Sequence, residues 1–169
     1  MKIDKKMKGE IGLHLLASRL FANGLIALPT MRNTKGYDMV VFNPIRNKGI
    51  GLEVKANESP KQGFPVLTSN FANCERMIEQ RIMCPFVFVD ISDVENARFF
   101  LVSPQPLKSI LSNNFRNNKE KVRSKDPKKY EEKMDPNYKK GDLWTVKPEQ
   151  LGEYEIKGNK WHFFADLLE

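Results

Sequence analysis

Residues 35–56 constrain this chain more than any other stretch. Lys35-Gly36-Tyr37-Asp38-Met39-Val40-Val41-Phe42 is followed, after a turn, by Gly49-Ile50-Gly51-Leu52-Glu53-Val54-Lys55-Ala56. Both runs read as strands, and each carries charge where charge is costly. Side chains two apart on a strand share a face. Glu53 and Lys55 therefore leave one side, while Ile50, Leu52, Val54 and Ala56 leave the other as core. A carboxylate and an ammonium on a mostly apolar strand demand pairing, a metal or chemistry. Met39 to Phe42 is apolar on both faces, the mark of a strand covered on two sides, and Asp38 stands at its head. Asn43, Pro44, Asn47 and Gly49 are turn residues, which predicts an antiparallel hairpin.

The flanking sequence supplies helices and further strands. Over 6–23, Ile11, Leu15, Leu16, Leu20 and Phe21 recur at helical spacing, with Leu13 and Ala17 widening the stripe. Gly24 is placed to end that helix in the left-handed conformation. Residues 25–28 form a short strand stopped by Pro29, and 31–35 a polar loop or strand edge holding Arg32 and Lys35. Residues 57–63 are loop, and a second helix spans 71–83, capped by Ser69 or Asn70. Residues 85–91 make another continuous apolar strand, 98–103 its returning partner, and 104–115 a short helix.

Residues 116–140 differ in character, with ten Lys/Arg against five Asp/Glu and few large apolar side chains. They read as an extended basic excursion. Foldable sequence resumes at 143–146, 148–151 and 161–168, where Trp144, Trp161, Phe163 and Phe164 are expected to dock the tail. The order predicts an α/β (α+β) fold with a central mixed β-sheet flanked by helices. One domain is expected, with its core over about 6–103 and a C-terminal extension over 104–169. Strand order within the sheet stays open.

Composition narrows the partners. A chain of 169 residues suffices for one domain with a real core. The net charge of +7 and pI of about 9.4 favour a surface that attracts polyanions, nucleic acid above all. Cys74 and Cys84 are isolated thiols, and His14 and His162 are the only histidines. Neither structural zinc nor a disulfide framework is expected, and a reducing, cytoplasmic setting is. No signal peptide and no apolar run near the ~20 residues of a membrane span is evident, so no membrane partner is expected.

If Asp38 and Glu53 lie on neighbouring strands with Lys55 beside them, the two carboxylates repel unless a cation stands between them. Hard oxygen donors suit Mg²⁺ or Mn²⁺, and such an ion activates water for attack on phosphorus. Lys55 would steady or deprotonate that water, or neutralise charge developing on the phosphoryl group. Glu10 would add a carboxylate, to a second ion or through a water.

A helix with Glu10, then Gly36-Tyr37-Asp38 entering an apolar strand, then Leu52-Glu53-Val54-Lys55 in the next, resembles the PD-(D/E)XK nuclease superfamily. Restriction endonucleases and archaeal-type Holliday junction resolvases belong to it. The resemblance spans roughly 6–103 as an order of elements and four residues as motifs. It implies a restriction-endonuclease-like α-β-β-β-α-β core and a Mg²⁺-dependent endonuclease acting on DNA, double-stranded or branched, that leaves a 5′-phosphate. It further implies Asp38 and Glu53 as metal ligands and Lys55 as the catalytic lysine. Glu10 corresponds to the helix glutamate of the resolvase-like branch, as a further catalytic and metal-binding residue. Tyr37 stands where the motif's name has proline, a frequent departure.

Arg32, Lys35, Arg76, Gln80, Lys121 and Arg123 are the expected nucleic-acid contacts. A solvated helix face around Arg76 and Gln80, and a merely solvated basic segment, are the plainer alternatives. Glu53 and Lys55 likewise have a plain alternative, an ordinary ion pair on an exposed strand edge. A homodimer would serve two-strand cutting. The competing functions are a nucleic-acid-binding protein without turnover and an assembly module with a vestigial nuclease fold.

Overall fold

The structure is a computed structural model and describes residues 4–30, 37–58, 63–125, 143–158, 161 and 164. In chain order its elements are α1 (Lys5–Ala22), β1 (Ile26–Pro29), β2 (Met39–Asn43), β3 (Lys48–Asn57), β4 (Phe64–Leu67), α2 (Thr68–Glu79), β5 (Phe86–Asp90), β6 (Arg98–Val102), α3 (Pro104–Lys125) and β7 (Leu143–Val146), followed by a 3-10 helix over Pro148–Tyr154. The fold is α+β, a mixed sheet flanked by helices, as the order of elements predicts.

The hairpin forms as its turn residues dictate. The Asn43 carboxamide oxygen accepts the amides of Ile45 (3.0 Å) and Arg46 (3.2 Å), and Asn47 takes φ 55°, a conformation asparagine tolerates. β2 and β3 then pair antiparallel, with Met39 opposite Leu52 and Asn43 opposite Lys48. β1 adds antiparallel to β2. The crossover through α2 delivers β5 parallel to β3, and β6 returns antiparallel to β5. The five-stranded sheet thus has the order β1-β2-β3-β5-β6, with β3 near its middle.

Each face of this sheet carries its own core. On one face α1 lays Leu16, Ala17 and Leu20 over Ile50, Leu52, Val87 and Val89, with Val54 and Ala56 partly covered. Gly12 lets the helix come close, because a Cβ there would fall onto the Ala56 methyl and lie 3.4 Å from Val89. Phe21, expected on the stripe, is instead 54% exposed. α1 is capped by Asp4, whose Oδ1 accepts the Met7 amide at 2.7 Å. It ends as Gly24 predicts: at φ 78° the Gly24 amide bonds to Phe21 and that of Leu25 to Leu20 (3.0 and 3.1 Å), a Schellman ending.

On the other face Phe86, Phe88, Phe100 and Val102 meet Cys74 and Met77 of α2, Leu107 and Leu111 of α3, and Phe64, Val66 and Val146 from a second sheet. That second sheet is β4 paired antiparallel with β7. Residues 64–67 carry no strand signal in the sequence, since the partner strand lies far along the chain. β4 runs directly into α2, so the helix begins at Thr68 rather than after a cap at Ser69 or Asn70. It also stops at Glu79 rather than Met83. Arg81 takes φ 55°, its amide bonds to Ile78 at 3.2 Å, and the Ile82 amide bonds to Met77 at 2.8 Å.

The larger correction concerns the basic segment. α3 continues to Lys125, so 116–125 are helical rather than extended. Lys, Glu and Arg are good helix formers, and a helix already packed through Leu107 and Leu111 propagates into them without needing apolar residues. The remainder of the expected excursion lies outside the described residues.

The C-terminal segment is bound by polar clamps. Asn114 and Gln150 exchange side-chain hydrogen bonds of 3.2 and 2.7 Å, and Asn114 also donates to the Thr145 carbonyl at 2.9 Å. Arg98 forms a two-point bond with Glu155 (2.8 and 3.0 Å) and lies over the Phe100 ring. Trp161 and Phe164 complete the α1 face, with Trp161 edge-on to Phe99. Trp144 sits on β7 opposite Val66, and Phe163 lies outside the described residues. Among the described residues no helix is long and apolar enough to cross a membrane.

Candidate functional site

Asp38 sits one residue before β2, where the ladder to β3 ends. Its amide donates to the Leu52 carbonyl (2.8 Å) and its carbonyl accepts the Thr30 amide (3.0 Å). The side chain then turns onto the neighbouring strand, and Oδ2 accepts the Val54 amide at 2.7 Å. Glu53 is fixed from the other direction, its amide donating to Pro85 at 3.1 Å. In the parallel register Glu53 faces Phe86 and Lys55 faces Phe88. The two charged side chains therefore share the sheet face covered by α2 and α3, opposite Val54 and Ala56.

On that face the three charges meet. Lys55 Nζ hydrogen-bonds Glu53 Oε1 and lies 4.0 Å from Asp38 Oδ2. The side chains are 45% (Asp38), 20% (Glu53) and 25% (Lys55) exposed. They are too covered to be freely solvated and open enough to meet a ligand. The ammonium occupies the position that charge balance requires a cation to fill. As a donor set, two carboxylates from adjoining strands, one of them aimed by a backbone amide, fit a small hard ion such as Mg²⁺ or Mn²⁺.

The field of the pair reaches Cys84. Burial pushes its thiol up, and the nearby carboxylates of Glu53 and Asp38 add to that, to about 11. Cys74, raised by burial and then by Cys84, lies at about 12. Both are buried thiols outside any disulfide and protonated at neutral pH, so neither is a nucleophile.

The other expected residues are placed differently. Glu10 lies on α1, which packs against the opposite sheet face. Its carboxylate is 3.9 Å from His14 Nε2, the two side chains being 43% and 70% exposed. Among the described residues no three His, Cys, Asp or Glu side chains converge to hold a metal ion, so Glu10 does not join Asp38 and Glu53 in such a group. Arg76, in the last turn of α2, and Gln80, just past it, are exposed. Glu75 pairs with Lys108 of α3 at 3.0 Å. Lys121 and Arg123 fall on the final turns of α3, but their side chains, like all of Arg32 and Lys35, lie outside the described residues.

Two features of the site lie outside the sequence-based expectations. The ring of Tyr37 lies against the bare backbone of Gly51, on the same face of β3 as Glu53 and Lys55. A glycine two residues before a charged pair, on the same strand face, is the signal that points to it. The second is a cleft of about 450 Å³ between the first turns of α1 and β3, lined by Lys5, Lys8, Gly9, Lys55, Asn57 and Pro65 among others, so that it reaches the site lysine. Lys8 there is ion-paired with Glu58.

Comparison of the chain with protein-family models, with curated proteins and with solved structures finds no match.

Proposed function

We propose that this chain is a metal-dependent endonuclease that hydrolyses phosphodiester bonds in DNA. The observation that carries the reading is the convergence of Asp38 Oδ2 and Glu53 Oε1 on Lys55 Nζ across two adjoining strands. Asp38 and Glu53 would hold Mg²⁺ or Mn²⁺, which when bound supplies Lewis acidity toward phosphate and an acidified water. The Val54 amide fixes the rotation of the Asp38 carboxylate. Lys55, once Glu53 is engaged elsewhere, is freed to donate to a phosphoryl oxygen on which charge develops, or to hold the attacking water. The net charge of +7 brings the polyanion to the surface in a salt-dependent way. Two protonated thiols without a disulfide fit a reducing, cytoplasmic setting.

A second reading has its own support. Lys55 already neutralises Glu53, and Asp38 already has the Val54 amide, so the charges are satisfied without metal. On that reading the chain binds nucleic acid without turnover. Incubation of plasmid, linear and branched DNA with Mg²⁺ or Mn²⁺ separates the two. Cleavage by the wild type that is lost in Glu53→Gln and Lys55→Met supports the nuclease. Salt-sensitive binding with no product on any substrate supports the second reading and removes the first.

A further inference from the structure

We infer that Tyr37 is a stacking platform for an unpaired nucleobase beside the Asp38–Glu53–Lys55 site, which makes the substrate class nucleic acid with an unpaired nucleotide at that point. The inference rests on the reading of the site as one that receives nucleic acid, with or without turnover.

Period-2 geometry puts residues 51, 53 and 55 of β3 on one face. Gly51 leaves that face bare, and the ring of Tyr37 fills the space. A Cβ on Gly51 would come within 2.6 and 2.7 Å of Cδ1 and Cγ of the ring. One side of the ring is thus supported by a strand, yet Tyr37 remains 42% exposed. Its backbone is held in place, because the Tyr37 carbonyl accepts the Thr30 hydroxyl at 2.8 Å and the next residue is Asp38, tied to β3 at Leu52 and Val54. A flat, supported, half-open aromatic surface lies two strand positions from Glu53, about 7 Å along β3. A single nucleotide spans that distance.

Aromatic rings bind bases through the π-face, which every base has, so such a platform is tolerant of sequence. Bases inside a duplex already stack on one another and do not offer that face. An unpaired, frayed or extruded base does. Covering a strand glycine is also a purely structural role for an aromatic ring, and the test must distinguish the two.

The test is fluorescence anisotropy with the full chain in EDTA, so that no cleavage intervenes. The probes are a labelled single-stranded oligonucleotide, the blunt duplex of the same sequence, and the single strand with abasic sites throughout. The wild type is expected to bind the single strand more tightly than the duplex and to lose that preference on the abasic strand. Tyr37→Leu, which still covers Gly51, should weaken single-strand binding about 5- to 100-fold and leave duplex binding unchanged. Tyr37→Trp should retain it. Equal affinity of the wild type for intact and abasic strands, absence of nucleic-acid binding, or full single-strand affinity in a folded Tyr37→Leu protein overturns the inference. The abasic comparison uses wild-type protein, so a variant that does not fold leaves the question decided. Tyr37-dependent binding without cleavage in Mg²⁺ would sink the nuclease reading alone. Cleavage with Tyr37-independent binding would sink this inference alone.

Discussion

The Asp38 carboxylate accepts the Val54 amide at 2.7 Å, finishing the β2–β3 ladder with a side chain where backbone pairing stops. One residue thus carries a structural duty and, on the proposed reading, a catalytic one. The two are separable by substitution. Asp38→Asn keeps an acceptor for Val54, so stability by urea unfolding should stay within about 0.5 kcal/mol, whereas Asp38→Ala should cost about 1–2 kcal/mol by orphaning the amide. Cleavage should fall by about 100-fold or more in both, since neither keeps the charge. An Asp38→Asn protein that cleaves at the wild-type rate would remove Asp38 from the site.

How much of this is legible in the sequence differs from element to element. Alternation from Gly49 to Ala56 separated Glu53 and Lys55 from the core, and the structure divides them in the same way because period-2 geometry is local. Gly24 announced the end of α1 for the same reason. The pairing of β4 with β7 left no local mark, since a four-residue strand is stabilised by a partner on the far side of α3. Helical spacing placed Glu10 on α1 but is silent about which sheet face the helix covers, and that decides whether Glu10 reaches Asp38. Low apolar content in 116–125 was misleading, because helix propensity and a packed start sufficed there.

The close packing of α1 on β3 predicts a sharp steric response. Gly12→Ala places a methyl onto Ala56, with Val89 also close, and the two neighbours are paired positions of β3 and β5. A loss of about 1–3 kcal/mol is expected from overpacking. In the double variant Gly12→Ala/Ala56→Gly much of it should return, a coupling that a double-mutant cycle by chemical unfolding measures. Additive losses would mean that the helix shifts to accommodate the methyl, and the close approach would not be needed.

Acid stability should report on Glu155. The hydrogen bond from Arg98 holds its carboxyl below the ordinary value of 4.5, with a further contribution from Lys157, against the opposing effect of burial. A depressed folded-state value means that the stabilisation is fully present above the unfolded value. It is lost as pH falls through the lower, folded one. Wild-type stability should therefore decline as pH drops below about 4.5, and Glu155→Gln should flatten that part of the decline. Arg98→Ala should cost about 1–2 kcal/mol at neutral pH, because it takes a cation from Glu155, which keeps Lys157 at 3.2 Å, and from the buried Asp90 4.0 Å away. A Glu155→Gln protein with the wild-type pH profile would show that the pair contributes nothing to acid sensitivity.

Arg81 offers the opposite kind of change, one that should stabilise. α1 and α2 end with the same hydrogen-bond pattern, yet α1 uses Gly24 at φ 78° and α2 uses Arg81 at φ 55°. A side chain in the left-handed region costs about 1–2 kcal/mol that glycine avoids, and glycine gives back part of that through the greater freedom of the unfolded chain. Arg81→Gly should therefore raise stability by about 0.5–1 kcal/mol. That is a few degrees in melting temperature for a chain of this size, readable by circular dichroism. The loop that follows, through Cys84 and Pro85, carries the carbonyl that receives the Glu53 amide, so the same variant also reads out the site. If the left-handed ending of α2 is only a way to turn the chain, stability rises and the nucleic-acid binding expected on the proposed reading is unchanged. A destabilised Arg81→Gly would mean that the arginine side chain holds this turn by contacts that outweigh the backbone strain.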